Sequence, residues 1–157
     1  MFIGLQYRTY VDWYTSFMEI ERPKVGIGVL VVKDGKVLIG ERLTSHGGGS
    51  FSLPGGHMEF GESFEDTARR ELEEETGLTD IEVTDLICVK NDRVYGKHFV
   101  TIGMLAKWKS GEPVVMEPEK ARNWAWYAPE EIPENMFLPS GAVIKNWLQG
   151  KIYTDNL

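Results

Sequence analysis

The sequence contains a single cysteine, Cys88, among its 157 residues, so an internal disulfide is excluded. One cysteine is also too few for the common structural zinc sites. No apolar run approaches the roughly 18 residues that a membrane-spanning helix requires. The formal net charge of -7 disfavours binding to the backbone of DNA or RNA. These absences predict a reduced, cytoplasmic protein with neither a membrane nor a nucleic-acid partner.

An aromatic segment precedes the body of the chain. Residues 1–22 include Trp13, Tyr14 and Phe17 and show no clear helical or strand period. We expect this segment to form an arm that packs on the domain. Because a short aromatic arm must bury its rings somewhere, the same three side chains predict a homodimer surface. Residues 23–157 are expected to form one domain, since their number suits a single hydrophobic core.

The body of the chain opens with a hairpin pattern. Residues 24–42 contain two β-branched runs joined through Asp34 and Gly35, a preferred pair for a tight turn. Residues 43–62 are rich in glycine and have no period, which predicts a long loop. Long loops in compact domains are often functional.

A helix is expected next, over residues 63–77. Ser63 can cap its first turn, and Gly77 stands where a helix C-terminus favours glycine. The later patterns predict strands within 81–90, 98–109 and 123–128, a helical turn within 129–132 and a closing helix within 139–150. Trp124 and Trp126 alternate on the third of these strands, which favours core packing. We therefore expect an α/β fold with a mixed sheet and helices on its faces.

The predicted helix carries an unusual concentration of glutamates near its end. At ~100° per residue, Glu71, Glu74 and Glu75 share one ~100° sector, whereas Glu73 points elsewhere. The neighbouring stripe is apolar and should face the core; it consists of Phe64, Ala68 and Leu72. Like charges at this spacing repel one another. A divalent cation such as Mg²⁺ or Mn²⁺ would neutralise them, and the alternative is a solvated acidic face.

The surrounding residues distinguish these alternatives. The segment reads Gly56, five residues, Glu62, seven residues, Arg70-Glu71-Leu72, one residue, Glu74-Glu75, one residue, Gly77-Leu78. It resembles the Nudix box at every specified position. The resemblance implies a Nudix hydrolase with the family's αβα sandwich, in which a mixed sheet lies between helices. It also implies hydrolysis of a diphosphate linkage with the help of Mg²⁺, or of Mn²⁺.

The resemblance also implies roles for individual residues. Glu71, Glu74 and Glu75 match the glutamates that bind the metal, and the carbonyl of Gly55 often joins them. Arg70 matches the arginine that orients the acidic helix, with Glu62 as its expected partner. Three residues are candidates for the general base, because the base comes from the box in some members and from a later loop in others: Glu75, Glu117 and Glu119.

Three segments outside the box resemble one branch of the family. They are 49–63, 98–104 and 117–127. This branch hydrolyses nucleoside and pterin triphosphates and includes the human thiopurine and oxidised-guanine nucleotide diphosphatase. The resemblance implies a small-molecule nucleotide substrate, with purine nucleotides, oxidised guanine included, among the better ones. The implied substrate-binding residues are Arg42, Leu53, Gly56, His57 and Thr101.

Two other functions stay open. A nucleotide-sugar or ADP-ribose hydrolase of the same fold would carry the same complete box. A non-catalytic module that senses a nucleotide would be expected to lose some of the glutamates, and all of them are present here.

Overall fold

The first two strands form the expected hairpin. The structure is a computed structural model that describes residues 21–45 and 47–155. Strand β1 (Lys24–Lys33) turns through Asp34 and Gly35, with φ angles of 50° and 76°, into β2 (Lys36–Arg42). These positive φ angles are typical of a tight hairpin turn, and they explain why this pair joins the strands.

Six further strands and two α-helices complete the described part of the chain. The strands are β3 (Phe51–Ser52), β4 (Gly55–His57), β5 (Ile81–Val94), β6 (Lys97–Trp108), β7 (Ala121–Tyr127) and β8 (Tyr153–Asp155). The helices are α1 (Phe64–Thr76) and α2 (Leu138–Gln149), with a 3₁₀ helix at Pro129–Glu131. The predicted helices, the helical turn and the three later strands are thus confirmed, with small differences in their bounds.

The strands form one mixed sheet. Its order is β3-β2-β1-β6-β5-β8, with β4 paired to β1 and β7 paired to β2. The pairs β1–β6 and β5–β8 are parallel, and the other pairs are antiparallel. The parallel pairing of β1 with β6 places Gly26 opposite Thr101 at the centre of the sheet.

Helix α1 owes its position to its caps and to its apolar stripe. The Ser63 hydroxyl accepts a hydrogen bond from the Asp66 amide at 3.0 Å, and the Asp66 carboxylate accepts one from the Ser63 amide at 3.2 Å. This reciprocal pair fixes the first turn. Gly77 ends the helix at φ 68°. Ala68 and Leu72 are fully buried, as the predicted stripe requires.

The sheet has a hydrophobic cluster on each face. One cluster joins α1 to the sheet through Leu72, Val29 and Met104. The other joins α2 to the opposite face through Val143, Leu30 and Cys88. This is the αβα sandwich that the box implied. Trp124 and Trp126 pack against the α1 cluster, which agrees with their interpretation as core residues.

Two features differ from the sequence-based expectation. The predicted loop 43–62 contains β3 and β4, because the short runs around Phe51 and Gly56 pair with β2 and β1. Strand β8, a run of only three residues, was not expected, and it pairs in parallel with β5. Both elements depend on partners distant in the chain, which no local pattern reveals.

Some expectations lie outside the described residues. The arm was assigned to residues 1–22, and Trp13, Tyr14 and Phe17 belong to the part that is not described, so the arm and the homodimer surface stay predictions. Over the residues that the structure does describe, none of the helices has the length and apolar character needed to cross a membrane.

Candidate active site

Arg70 is the centre of an ion-pair network on α1. Its Nε and Nη2 donate to the two carboxylate oxygens of Glu62 at 2.6 and 2.9 Å. Its Nη1 donates to Glu71 at 2.8 Å and to Glu74 at 3.3 Å. Its Nη2 also donates to the carbonyl of His57 at 3.0 Å, which ties the helix to β4. The expected Arg70–Glu62 pair is therefore present, and hydrogen bonds from Arg70 lower the pKa of Glu62 to about 2.

Glu75 is a carboxylate held in an unfavourable environment. Burial raises its pKa to about 7, against a hydrogen bond from the Gly55 amide at 3.0 Å. The nearby charges of Glu71 and Glu117 raise it further. Burial also raises the pKa of Glu71, although Arg70 opposes that effect. These carboxylates are thus crowded, part-buried and incompletely neutralised by the protein.

This environment fits a divalent cation. The side chains of Glu71, Glu74 and Glu75 supply only oxygen ligands, the donor set that Mg²⁺ and Mn²⁺ prefer. A cation among them would offset the burial and repulsion that raise the pKa values of Glu71 and Glu75. Across residues 21–45 and 47–155, no three acidic, histidine or cysteine side chains already surround one point. Two of the glutamates are instead paired with Arg70.

A loop docked on the end of α1 brings Glu117 to the same place. The amide of Val114 donates to the carbonyl of Thr76 at 2.9 Å. The amide of Met116 donates to the carbonyl of Glu75 at 3.3 Å. These carbonyls belong to the last turn of the helix, where no further helical amide can reach them. Glu117 is part-buried and adds to the pKa shifts of both Glu71 and Glu75. The loop therefore joins Glu117 to the acidic cluster.

Two residues that support this loop were not foreseen from the sequence. Lys120 forms an ion pair with Glu117 at 2.7 Å. The indole Nε1 of Trp124 donates to the carbonyl of Glu75 at 3.1 Å. Glu119, the other loop candidate, is exposed. The spacing of Glu117 and Lys120 at i and i+3 is a signal that could have indicated their pairing.

Gly55 and Gly56 allow the loop to approach α1 closely. A Cβ atom at Gly56 would overlap both carboxylate oxygens of Glu71, and a Cβ at Gly55 would overlap the carbonyl oxygen of Ile27. Gly56 is therefore required next to Glu71, and Gly55 next to β1. The two glycines bring the peptide backbone into contact with the candidate metal ligands.

Replacing Gly56 by Ala should lower kcat about 10- to 100-fold, because the added methyl displaces the carboxylate of Glu71. The melting temperature should change little, since the displaced atoms are the end of a flexible side chain. Gly28→Ala is the control, because a Cβ there meets Val143 at an ordinary 3.7 Å. Measured kcat and Tm for both variants check the prediction, and an unchanged kcat in Gly56→Ala would contradict it.

The metal-free protein should lose stability as the pH rises from about 4.5 to about 7. The pKa of Glu75 is about 7 in the fold, against an ordinary value of 4.5. Between these values the folded protein keeps a proton that the unfolded chain releases, so raising the pH favours unfolding. In chelator, the Tm difference between Glu75→Gln and the wild type should grow over this range and level off above it. A difference that stays constant from pH 4.5 to 8 would contradict the shift.

Of the implied substrate residues, Leu53 belongs to the hydrophobic cluster on the α2 side of the sheet, whereas Gly56 faces Glu71 of α1. Leu53 and Thr101 are buried, with 4% and 6% of their surface exposed. The amide of Leu53 donates to the hydroxyl of Ser140 at 3.2 Å, which places it at the start of α2. His57 is exposed on β4, and its ring lies 5.3 Å from that of Phe99.

Arg42 lies near Glu75 of the acidic cluster. Burial lowers the pKa of its guanidinium, and the charge of Glu75 opposes that effect. Its guanidinium lies 4.1 Å from the ring centre of Phe137, and Tyr95 stacks on the same Phe137 with ring centres 5.5 Å apart. Tyr95 and Phe137 were not predicted as site residues. Tyr95 lies at the tip of the β5–β6 hairpin, and nothing in the local sequence shows that this tip meets the start of α2.

Comparison with known proteins identifies the family. A family profile for the NUDIX domain matches residues 22–148, so the chain belongs to the Nudix family. With its complete box, it is a Nudix hydrolase that acts on diphosphate bonds.

Individual relatives agree on the family and differ in their substrates. The RNA pyrophosphohydrolase of Novosphingobium aromaticivorans is 30% identical over 131 residues, which cover 72% of this chain and 81% of that protein. The 8-oxo-dGTP diphosphatase of Proteus vulgaris is 32% identical over 96 residues, 59% of this chain and 84% of that protein. Among solved structures, a MutT NUDIX hydrolase from Burkholderia pseudomallei superposes with a TM-score of 0.71 at 33% identity, covering 80% of this chain and 98% of that one.

Proposed function

We propose that the protein hydrolyses nucleoside triphosphates to the monophosphate and pyrophosphate, with purine deoxynucleotides, oxidised guanine included, among its better substrates. The observation that carries this proposal is the position of Arg42. Its guanidinium lies 4.1 Å from the ring centre of Phe137, which stacks on Tyr95, and it is near enough to Glu75 for the charge of that carboxylate to act on it. One cation thus adjoins both the site suited to phosphates and a face of the sheet suited to a base.

The acidic side of the site would hold the metal and the phosphates. Glu71 and Glu75, with Glu74 and the carbonyl of Gly55, would bind Mg²⁺, and Arg70 would keep the carboxylates in place. When bound, the metal supplies charge neutralisation and activates water for attack on the diphosphate. Water oxygen forms a new bond to the α-phosphorus, and the bond from that phosphorus to the bridging oxygen breaks, releasing pyrophosphate.

Glu117 is our preferred general base, with Glu75 and Glu119 as the other candidates. A base must reach the attacking water, and Glu117 is part-buried beside Glu71 and Glu75. Its ion pair with Lys120 holds the carboxylate in place. Glu119 is exposed, which makes it the weakest of the three.

The opposite side of the site would hold the nucleoside. Thr101, Leu53 and His57 would line this side, with Gly56 at its border with Glu71, and the Tyr95–Phe137 stack offers aromatic surface. The relative named as an 8-oxo-dGTP diphosphatase supports a triphosphate substrate. We also propose a cytoplasmic location. Cys88 is a buried free thiol, which is typical of proteins in reducing compartments.

One substrate panel tests the proposal. At fixed Mg²⁺, it compares normal and oxidised purine triphosphates, pterin triphosphate, ADP-ribose, a nucleotide sugar, a dinucleoside polyphosphate and a 5′-triphosphorylated RNA. Products are identified by chromatography. We expect a purine triphosphate to have the highest kcat/KM and pyrophosphate to be released. If ADP-ribose, a nucleotide sugar or the RNA exceeds every triphosphate tenfold, the substrate assignment is wrong. If members of the panel bind but none of them is hydrolysed, the protein is instead a nucleotide-sensing module.

A further inference from the structure

The carbonyl of Glu75 accepts hydrogen bonds from two different parts of the chain. The amide of Met116 donates to it at 3.3 Å, and the indole Nε1 of Trp124 donates to it at 3.1 Å. This carbonyl lies in the last turn of α1, where no further helical amide can reach it. The carboxylate of the same residue accepts from the Gly55 amide at 3.0 Å. Glu75 is therefore held both through its main chain and through its side chain.

The two donors to this carbonyl enclose the segment that carries Glu117. Met116 directly precedes Glu117, and Trp124 follows it on β7. The segment 116–124 is thus bound at both ends to one oxygen atom of Glu75. The charge of Glu117 also acts on the carboxylate of Glu75, so the two side chains are neighbours. Their relative position depends on the two bonds to this carbonyl.

A β-bulge directs the indole of Trp124 towards α1. The register of β2 and β7 shifts between Ile39 and Glu41. Two residues of β7, Asn123 and Trp124, therefore oppose Gly40 alone, and such a bulge changes the direction of the side chains next to it. Asn123 has a φ angle of 56°, which asparagine tolerates better than most residues. A Cβ at Gly40 would lie 2.5 Å from the indole ring, so this glycine leaves the space that the ring occupies.

The neighbouring indole of Trp126 makes no comparable contact. It lies two residues further along β7 and packs against the same hydrophobic cluster as Trp124. Across the residues that the structure describes, its Nε1 is buried without a hydrogen-bond partner. Packing alone accounts for Trp126, whereas Trp124 combines packing with an N–H group that reaches one particular atom.

We propose that Trp124 is a positioning residue for Glu75 and Glu117. Its N–H joins the last turn of α1 to the segment that carries Glu117, and this contact keeps the two carboxylates in a fixed relation. Without the N–H, the segment and the end of α1 can separate, and small displacements of catalytic groups lower kcat strongly. The inference rests on the proposed function, since it takes Glu75 as a metal ligand, but it does not depend on which nucleotide is hydrolysed.

A titration with Mn²⁺, followed by electron paramagnetic resonance, tests the inference without turnover. Trp124→Phe removes the indole N–H and keeps an aromatic ring. Trp126→Phe is the matched control, because it makes the same change where the N–H bonds to no described residue. We expect Trp124→Phe to bind Mn²⁺ ~3- to 10-fold more weakly than the control, as the loss of one hydrogen bond predicts. The control should bind Mn²⁺ like the wild type.

Kinetics and a second variant separate positioning from packing. With a substrate that the protein hydrolyses, Trp124→Phe should lower kcat about 10-fold and leave KM unchanged. A residue that only packs would lower Tm without this division between kcat and KM. Replacing Trp124 by benzothienylalanine keeps both rings and exchanges the N–H for sulfur, so this variant decides the question if Trp124→Phe folds poorly. It should show the same losses of Mn²⁺ affinity and of kcat.

The outcomes distinguish this inference from the proposed function. If the two Phe variants bind Mn²⁺ equally, or the benzothienylalanine variant binds it like the wild type, the inference is wrong and the metal site stands. If Glu71→Gln/Glu75→Gln binds Mn²⁺ as tightly as the wild type, the metal site is wrong and the inference fails with it. If the Trp124 variants behave as expected but ADP-ribose or a nucleotide sugar is the best substrate, the inference stands and the substrate assignment fails.

Discussion

Replacing Glu75 by Gln should lower kcat by at least ~100-fold, because an amide is a poor ligand for Mg²⁺. The metal-free variant should nevertheless melt at a higher temperature than the wild type near pH 8. Glu75 is ionised there against burial and against the charges of Glu71 and Glu117, and the neutral amide removes both penalties. An amide oxygen can still accept the hydrogen bond from Gly55. Steady-state kinetics and thermal melts in chelator measure the two effects.

Glu71→Gln should also lower kcat by at least ~100-fold, without the same gain in stability, since it loses its ion pair with Arg70. Glu73→Gln is the matched control, because Glu73 lies on the same helix and is exposed. Its kcat and Tm should be close to those of the wild type. Near-normal turnover in both Glu71→Gln and Glu75→Gln would contradict the assignment of these residues as metal ligands.

The sequence predicted the acidic helix well because the interactions that form it are local. Ser63 and Asp66 are three residues apart, and Gly77 directly follows the last turn, so the caps could be recognised from spacing alone. The position of Glu75 at the edge of the buried face followed from helical periodicity. The Glu62–Arg70 pair bridges only eight residues, and the family resemblance indicated it.

The rest of the site could not be predicted because its contacts join distant parts of the chain. Tyr95 meets Phe137 only because the β5–β6 hairpin reaches the start of α2. Lys90 and Asp92 of β5 form a buried ion pair, although polar side chains of a strand usually face solvent. Helix α2 packs on the same face of the sheet, where Asn146 donates to Cys88. Lys90 and Asp92 are therefore buried where solvent exposure is expected, and the residue pattern of β5 alone does not indicate this.

Removing the metal should have the largest effect on this enzyme. Exhaustive chelation should reduce turnover to less than ~1% of the rate with Mg²⁺, and added Mg²⁺ or Mn²⁺ should restore it. Without a cation, Arg70 pairs with Glu71 and Glu74, and the Gly55 amide donates to Glu75, whose pKa nevertheless stays raised by burial. The carboxylates then cannot organise the phosphates of an anionic substrate, because like charges repel.

Melting experiments would show that the cation acts at these carboxylates. Mg²⁺ at ~100 times its dissociation constant stabilises the fold by about 2.7 kcal/mol, which corresponds to roughly 5–11 °C in Tm for a domain of this size. The gain should appear in the wild type and in Glu73→Gln. It should disappear in a Glu71→Gln/Glu75→Gln double variant, which lacks the two most buried charges of the cluster. If Mg²⁺ raises the Tm of the double variant as much as that of the wild type, the cation binds elsewhere. If turnover is complete in chelator, the three glutamates form an acidic face that binds no metal.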